Sequence, residues 1–165
     1  MKIRLAIFDV DGVMTDGRLY LSDSGEETKA FDTKDGHGMK MLKASGVEIA
    51  IITGRSSRCV ELRAENLGIS LLFQGASDKL AVYGKLIESL GLEPEQTAYM
   101  GDDLVDLPVL ARCGLAFAVP DAPDIVRQHA DYVTRKQGGR GAVREACEFL
   151  MRMQGSFDAQ LAAYL

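Results

Sequence analysis

The chain has 165 residues, of which 47% are hydrophobic and 26% are charged, and its formal net charge at pH 7 is −5. This length and composition are typical of one globular domain. The acidic balance, without any block of Lys and Arg, argues against a nucleic-acid partner. The first apolar segment, residues 3–8, is interrupted at once by Asp9, so it is too short for a signal peptide or a membrane span.

The three cysteines, Cys59, Cys113 and Cys147, are far apart in the sequence and form no CxxC pair. Such spacing argues against a disulfide framework and against a zinc site. A reducing compartment fits this cysteine usage best, so we expect a cytoplasmic protein.

Short, nearly continuous apolar segments recur along the chain, and they are typical of strands that are covered on both faces. They predict strands at residues 3–8, 47–52, 71–73, 97–100 and 115–119, with a sixth strand closing at Val133. Segments with helical spacing lie between the strands and end before Gly46, Gly68 and Gly91. This alternation predicts an α/β fold, namely a doubly wound, Rossmann-like, mostly parallel sheet with helices on both faces.

Residues 17–32 interrupt this alternation and predict a projecting β-hairpin whose turn contains Gly25. A lone hairpin is marginally stable, so we expect it to pack on something, such as another subunit. Near the C-terminus, residues 137–141 predict a flexible, Gly-rich loop, and residues 142–153 predict a helix. We therefore expect a single domain over residues 1–153 and a flexible tail over residues 154–165.

Two acidic clusters each follow a predicted strand. The first is Asp9-Val10-Asp11-Gly12, and the second runs from Gly101 to Asp106 and contains Asp102 and Asp103. In open α/β sheets, ligands bind beyond the carboxyl ends of the strands, and Mg²⁺ prefers carboxylate ligands.

Simpler explanations exist for each cluster. The first cluster fits a surface turn as well, while a calcium-binding loop is excluded because Met14 and Tyr20 occupy the positions that need Gly and Glu. Helix capping explains one Asp of the second cluster but not all three.

Two weaker signals lie between the acidic clusters. Thr53-Gly54-Arg55 follows the second strand of the parallel sheet, where a hydroxyl and backbone N–H groups can hold phosphate oxygens, although Thr is also an ordinary helix cap. Lys79 follows Asp78 and can neutralise a phosphate, although alone it would be read as a solvated helix residue.

The order of these motifs resembles the haloacid dehalogenase superfamily of phosphohydrolases. The resemblance implies that Asp9 attacks phosphorus, that Asp11 is the general acid and base, and that Thr53 and Lys79 stabilise the transferred phosphoryl group. It also implies that Mg²⁺ is bound by Asp9, the Asp11 carbonyl and Asp102. Asp103 and Asp106 would support that site.

The segments between the motifs are too short for the cap domain that is usual in this superfamily. Residues 9–17, 35–38, 53–55, 73–75, 101–108 and 138–145 resemble the family of 3-deoxy-D-manno-octulosonate 8-phosphate phosphatases, which serves lipopolysaccharide inner-core sugar biosynthesis. This family implies a homotetramer in which hairpins form a central barrel and a neighbouring subunit completes each site. For the sugar phosphate, the resemblance points to Gly54 and Arg55, and to Arg63 supplied by the neighbour.

Three other functions were compared with this one. Related phosphatases act on nine-carbon sialic-type sugar phosphates, but there Glu tends to follow the Thr-Gly pair, where this chain has Arg55. A non-catalytic tetramerisation module of a nucleotide-sugar synthetase could lose the acid, but Asp9 and Asp11 are both present. A phospho-receiver domain would carry its phosphorylated Asp at the third-strand position, where Thr53 lies.

Overall fold

The computed structural model describes residues 2–165. Within residues 2–165, six parallel strands form one sheet, and they are β1 (Leu5–Phe8), β4 (Glu48–Ile52), β5 (Leu71–Phe73), β6 (Thr97–Gly101), β7 (Leu115–Ala118) and β8 (Tyr132–Val133). Their order across the sheet is β5-β4-β1-β6-β7-β8. All five predicted strands and the sixth at Val133 are confirmed. Their apolar side chains are largely buried because helices cover both faces of a parallel sheet.

The described part of the chain also holds seven α-helices: α1 (Thr33–Ala44), α2 (Arg58–Leu67), α3 (Lys79–Leu90), α4 (Leu107–Leu110), α5 (Asp124–Gln128), α6 (Ala142–Met153) and α7 (Phe157–Leu161). Helix α1 packs against α2 and α6, whereas α3 packs against α4. The chain runs outward from β1 through β4 to β5, and then returns to β6 on the other side of β1. Because crossovers between parallel strands are right-handed as a rule, this strand order puts the two groups of helices on opposite faces, as expected for the doubly wound fold.

Predicted ends of helices α2, α3 and α6 agree with the structure for physical reasons. Gly68 and Gly91 both adopt positive φ and cap the C-termini of α2 and α3, a conformation that favours glycine. Helix α6 begins and ends as expected, and its N-terminus is fixed by Asp35 of α1, whose carboxylate accepts the Arg144 N–H at 2.9 Å. Burial raises the pKa of Asp35 to about 6.

The predicted hairpin is present as β2 (Tyr20–Leu21) paired antiparallel with β3 (Glu27–Thr28). Its two ends differ in their surroundings. Phe31 packs against the core, whereas Leu19 and Leu21 are 50% and 62% exposed. The hairpin is therefore attached to the domain at its base and presents apolar side chains outward.

The segment after α6 contains regular structure that the sequence analysis did not predict. Helix α7 places Phe157 against the core, and the Arg152 guanidinium lies 3.6 Å from the centre of the Phe157 ring. The flexibility expected for residues 154–165 stays a prediction. Among residues 2–165, no helix combines the length and the apolar character that crossing a bilayer requires.

Candidate active site

A cleft of about 350 Å³ opens at the carboxyl ends of the central strands. Asp9 follows β1, Thr53 follows β4 and Asp102 follows β6, so neighbouring strands carry these side chains to one edge of the sheet. The connections from β1 and β6 run in opposite directions, which makes this the topological switch point where α/β sheets bind ligands.

Asp9 and Lys79 form the buried centre of the cleft, and both are 5% exposed. The Lys79 ammonium lies 3.2 Å from Asp9 Oδ1 and 2.8 Å from Asp106 Oδ1. Asp9 Oδ1 also accepts the Val10 N–H at 2.7 Å, which leaves Asp9 Oδ2 free of these contacts. Burial alone would lower the pKa of Lys79, but the charges of Asp9 and Asp106 outweigh it and raise the pKa.

Asp106 is fully buried, and its hydrogen bonds hold neighbouring groups of the site in position. Its Oδ1 accepts hydrogen bonds from Lys79 and from the Tyr99 hydroxyl at 2.6 Å, and its Oδ2 accepts the backbone N–H groups of Asp102 and Asp103. With both oxygens engaged, Asp106 is suited to orient its neighbours rather than to bind a ligand. Asp103 caps the 3-10 turn Leu104–Asp106, as the capping alternative expected for one Asp of the cluster.

The acidic cluster fits a divalent cation. Carboxylate oxygens of Asp9, Asp102 and Asp106 lie within 4.8 Å of one another, and the Lys79 ammonium contacts two of these carboxylates, Asp9 and Asp106. Burial and the charge of Asp106 raise the pKa of Asp9 to about 7 although Lys79 opposes this, and burial with the charges of Asp9 and Asp106 raises the pKa of Asp102 to about 8. A divalent cation would offset this like-charge repulsion.

The loop after β1 lies so close to Asp102 that position 12 has no space for a side chain. Gly12 has a φ of +85°, and a Cβ at this position would lie 1.8 Å from Asp102 Oδ2. The loop after β1 therefore passes directly beside the Asp102 carboxylate, and Gly12 is needed there both for its conformation and for the space.

The Asp11 carboxylate, which lines the same cleft, takes part in a second network formed with the hairpin. Asp11 Oδ1 lies 2.7 Å from the Lys29 ammonium, and Asp11 Oδ2 lies 3.9 Å from Arg55 Nε. Glu27 completes the network, because its two oxygens contact Lys29 at 2.8 Å and Arg55 at 2.9 Å. Burial alone would lower the pKa of Lys29, but the hydrogen bonds to Asp11 and Glu27 outweigh it and raise the pKa.

The other predicted site residues divide between the cleft and its surroundings. Thr53 is buried, with its N–H donating to the Phe73 carbonyl, and it lines the cleft together with Gly54 and Arg55. Arg63 does not line the cleft of its own chain. Its guanidinium donates to the Asp32 carbonyl and lies over the Phe31 ring, behind the hairpin.

Comparisons with known proteins agree with this arrangement. Residues 71–146 match the family model described as haloacid dehalogenase-like hydrolase. The chain is 51% identical over 157 residues to 3-deoxy-D-manno-octulosonate 8-phosphate phosphatase KdsC of Escherichia coli K12, covering 95% of this chain and 84% of that protein. This chain belongs to the 3-deoxy-D-manno-octulosonate 8-phosphate phosphatase family of haloacid dehalogenase-like hydrolases.

Solved structures from this phosphatase family share the fold throughout. A probable YrbI family phosphatase from Pseudomonas syringae is 56% identical, with a TM-score of 0.97 and coverage of 98% of this chain and 92% of that chain. The phosphatase from Moraxella catarrhalis, in complex with magnesium, phosphate and a KDO molecule, is 46% identical, with a TM-score of 0.97 and coverage of 99% and 94%. The predicted family and fold are thus confirmed.

The Gly-rich loop at residues 137–141 packs against the loop after β1 in the structure. The Gly139 N–H donates to the Val13 carbonyl at 3.1 Å, and a Cβ on Gly138 would lie 1.9 Å from the Gly12 carbonyl oxygen. The flexible loop that the sequence predicted at residues 137–141 therefore lies directly on the loop that carries Asp11. The glycines allow this close backbone contact, and the flexibility expected for the loop stays a prediction.

Four residues around the predicted ones were not among the predicted site residues. Glu27, Lys29, Ser77 and Tyr99 all contact or line the site. The two hairpin residues carried a weak signal, because residues two apart in a strand face the same side. No sequence signal indicated Tyr99, since it lies within an apolar strand.

A second groove, of about 420 Å³, lies between the start of α1 and the start of α6. Cations including Lys34, Lys136 and Arg140 line it together with three acidic residues. None of the predicted catalytic or metal-binding residues lines this groove, so we assign the chemistry of the phosphatase to the smaller cleft at the strand ends.

Proposed function

We propose that this chain is a magnesium-dependent phosphomonoesterase that releases phosphate from 3-deoxy-D-manno-octulosonate 8-phosphate in lipopolysaccharide inner-core sugar biosynthesis, through an aspartyl phosphate at Asp9. The observation that carries the proposal is the buried Asp9–Lys79 pair beside Asp11, in a chain so similar to phosphatases of that name. The complex of the Moraxella catarrhalis relative supports both the metal and the sugar.

In the first half of the reaction, Asp9 attacks phosphorus. Oδ1 is occupied by Val10 and Lys79, so Oδ2 is the oxygen available for the new bond to phosphorus. As that bond forms, the bond between phosphorus and the sugar oxygen breaks, and Asp11 gives its proton to the departing oxygen. Carboxylates serve as nucleophiles of this kind, and proton donation to the leaving group adds ~10²–10⁴ in rate.

In the second half, water attacks the phosphorus of the aspartyl phosphate. Asp11, now ionised, accepts a proton from that water, and the bond between Asp9 and phosphorus breaks to release inorganic phosphate. One carboxyl group thus serves as acid and then as base, and Asp9 returns to its starting state.

The remaining cleft residues hold the phosphoryl group. Lys79 and the Thr53 hydroxyl, which line the cleft, would contact its oxygens, and the contact with Asp106 would hold Lys79 in position. Asp9 and Asp102 would hold Mg²⁺ together with the Asp11 carbonyl, with Asp103 and Asp106 in support. The bound ion would neutralise charge on the phosphoryl oxygens.

Arg55 is the residue that we assign to the carboxylate of the sugar, because a guanidinium pairs with a carboxylate in a fork geometry. Gly54 lies beside it and lets the ligand approach the backbone. Among residues 2–165, no cap domain covers the cleft, so we further propose a homotetramer in which the exposed hairpins associate and Arg63 of the partner subunit closes the site. The cytoplasmic location expected from the cysteines, all of which are free, is part of the same proposal.

The test is phosphate release with Mg²⁺ from three esters: the octulosonate 8-phosphate, the nine-carbon analogue and an aryl phosphate. We expect a strong preference for the octulosonate ester, lost on chelation of the metal and in Asp9→Asn. Equal, weak activity on all three esters would overturn the substrate assignment but keep the mechanism. No release from any ester would favour the non-catalytic module.

A further inference from the structure

Lys29 is the least exposed of the hairpin's charged side chains that meet the cleft. Its side chain is 2% exposed, although the hairpin that carries it projects from the domain. Its ammonium contacts Asp11 Oδ1 at 2.7 Å and Glu27 Oε1 at 2.8 Å. Burying an ammonium group is costly unless it is paired, so these two contacts are what makes this location possible.

The contact matters because little else holds the Asp11 carboxylate. Among residues 2–165, Lys29 is the one group that donates a hydrogen bond to it, and the neighbouring cation Arg55 stays 3.9 Å from Oδ2. The backbone after β1 places the Asp11 Cα, but the contacts of its oxygens decide where the carboxyl group points. Lys29 engages Oδ1 and thereby leaves Oδ2 as the oxygen that can meet the substrate.

We propose that Lys29 is a positioning residue for proton transfer, which fixes the Asp11 carboxyl group so that Oδ2 faces the oxygen leaving phosphorus. This inference rests on the proposed function, since it assumes that Asp11 protonates the leaving group. A group that passes a proton must be within hydrogen-bond reach of the leaving oxygen, and a carboxyl group free to rotate spends less time there.

A purely structural role for Lys29, holding the hairpin against the domain, makes a different prediction. Loss of structure would slow every substrate by the same factor. Loss of a well-placed acid would slow esters of weakly acidic alcohols most, because an acidic leaving group departs as an anion without needing a proton. The kinetic constant to use is kcat/KM, because it covers only the steps up to departure of the leaving group.

The experiment compares Lys29→Met with the unchanged protein on aryl phosphates of similar size, from 4-nitrophenyl phosphate to phenyl phosphate. We expect kcat/KM to fall about 100-fold for phenyl phosphate and less than about 10-fold for the 4-nitrophenyl ester. Lys40→Met is the matched control, because Lys40 is an exposed lysine of α1, and it should leave all rates unchanged. Light scattering and thermal melts check assembly and folding of each variant.

An equal loss on all esters, or no loss, would overturn the role of Lys29 while leaving the proposed function intact. An unchanged protein that hydrolyses no ester would overturn the proposed function and this role with it. If Lys29→Met does not fold, Glu27→Gln decides, because it keeps an oxygen for Lys29 but weakens the ion pair. A selective loss on phenyl phosphate in Glu27→Gln supports the proposal, and a uniform loss or none overturns it.

Discussion

The cleft and the hairpin meet at Asp11 but are built in opposite ways. In the cleft, Asp9, Thr53 and Lys79 are at most 5% exposed and are held by contacts within the sheet edge. In the hairpin, Leu19, Tyr20 and Leu21 are between 44% and 62% exposed, and Lys29 is the buried charge that ties it to the cleft. One chain therefore suffices to arrange the nucleophile, whereas the hairpin leaves its apolar side exposed.

The largest expected effect comes from the cleft. Asp9→Asn should reduce phosphate release by more than about 10³-fold, because an amide cannot form the phosphorus bond. The same change should raise the melting temperature of the metal-free protein, since it removes one of three crowded carboxylates. Asp23→Asn, in the exposed hairpin turn, is the control and should change neither quantity. An active Asp9→Asn protein would remove the basis for the cleft's assigned role.

The hairpin should respond differently. Leu21→Glu places a charge on the exposed apolar side and should shift the assembly to smaller species in light scattering, because a buried charge opposes association. The octulosonate ester should lose more kcat/KM than an aryl phosphate, since the cleft itself lies within one chain.

Leu90→Glu, at the end of α3, is the control for that change and should leave the assembly as it is. Unchanged molecular mass in Leu21→Glu would show that the hairpin does not form the interface.

Removing the metal should change how the stability of the protein depends on pH, and that change should come from the carboxylates of the cleft. The pKa values of Asp9, Asp102 and Asp35 are raised to about 7, 8 and 6 from an ordinary value of 3.8. The folded protein then binds protons that the unfolded chain has released, so the stability of the metal-free protein should fall as pH rises from 4 through 8.

Saturating Mg²⁺ should keep Asp9 and Asp102 ionised. The pH dependence of stability that remains should then lie mainly below about pH 6 and come from Asp35. Thermal melts at several pH values, with chelator or with Mg²⁺, measure this difference. Equal slopes under both conditions would contradict the assignment of the metal to these carboxylates.

The smallest effects concern the loop that supports the cleft. Gly138→Ala should destabilise the protein by about 1–3 kcal/mol and lower activity, because its Cβ would meet the backbone of Gly12. Gly84→Ala, within α3 and with open space around its Cβ, should instead stabilise by about 0.5–1 kcal/mol. Chemical denaturation measures both, and a neutral Gly138→Ala would show that the loop can move away at no cost.

The sequence predicted those parts of the molecule whose pattern is local. Strand ends, helix-ending glycines and the two acidic clusters lie in continuous segments, so β1, β4 and β6 and the positions of Asp9 and Asp102 could be located before the structure. The contact between Lys29 and Asp11 could not, because it depends on how the hairpin folds back over the cleft. Helix α7 was missed because it is short and its one buried anchor, Phe157, shows no periodicity.

The contacts of residues 137–141 could not be predicted from the sequence either. Glycines in a row indicate flexibility by composition, yet Gly138 lies within the contact radius of another backbone segment. Sequence alone does not distinguish a glycine that moves from one that lets two segments touch.

Chemical trapping is the most direct test for an aspartyl phosphate at Asp9. Protein mixed with the octulosonate ester and Mg²⁺ is quenched within one turnover and treated with borohydride, which reduces an acyl phosphate to an alcohol, and the peptides are then analysed by mass spectrometry. We expect homoserine at position 9, dependent on both substrate and metal and absent from Asp9→Asn. Reduction at Asp11 or Asp102 instead, or turnover with no reduced residue, would contradict it.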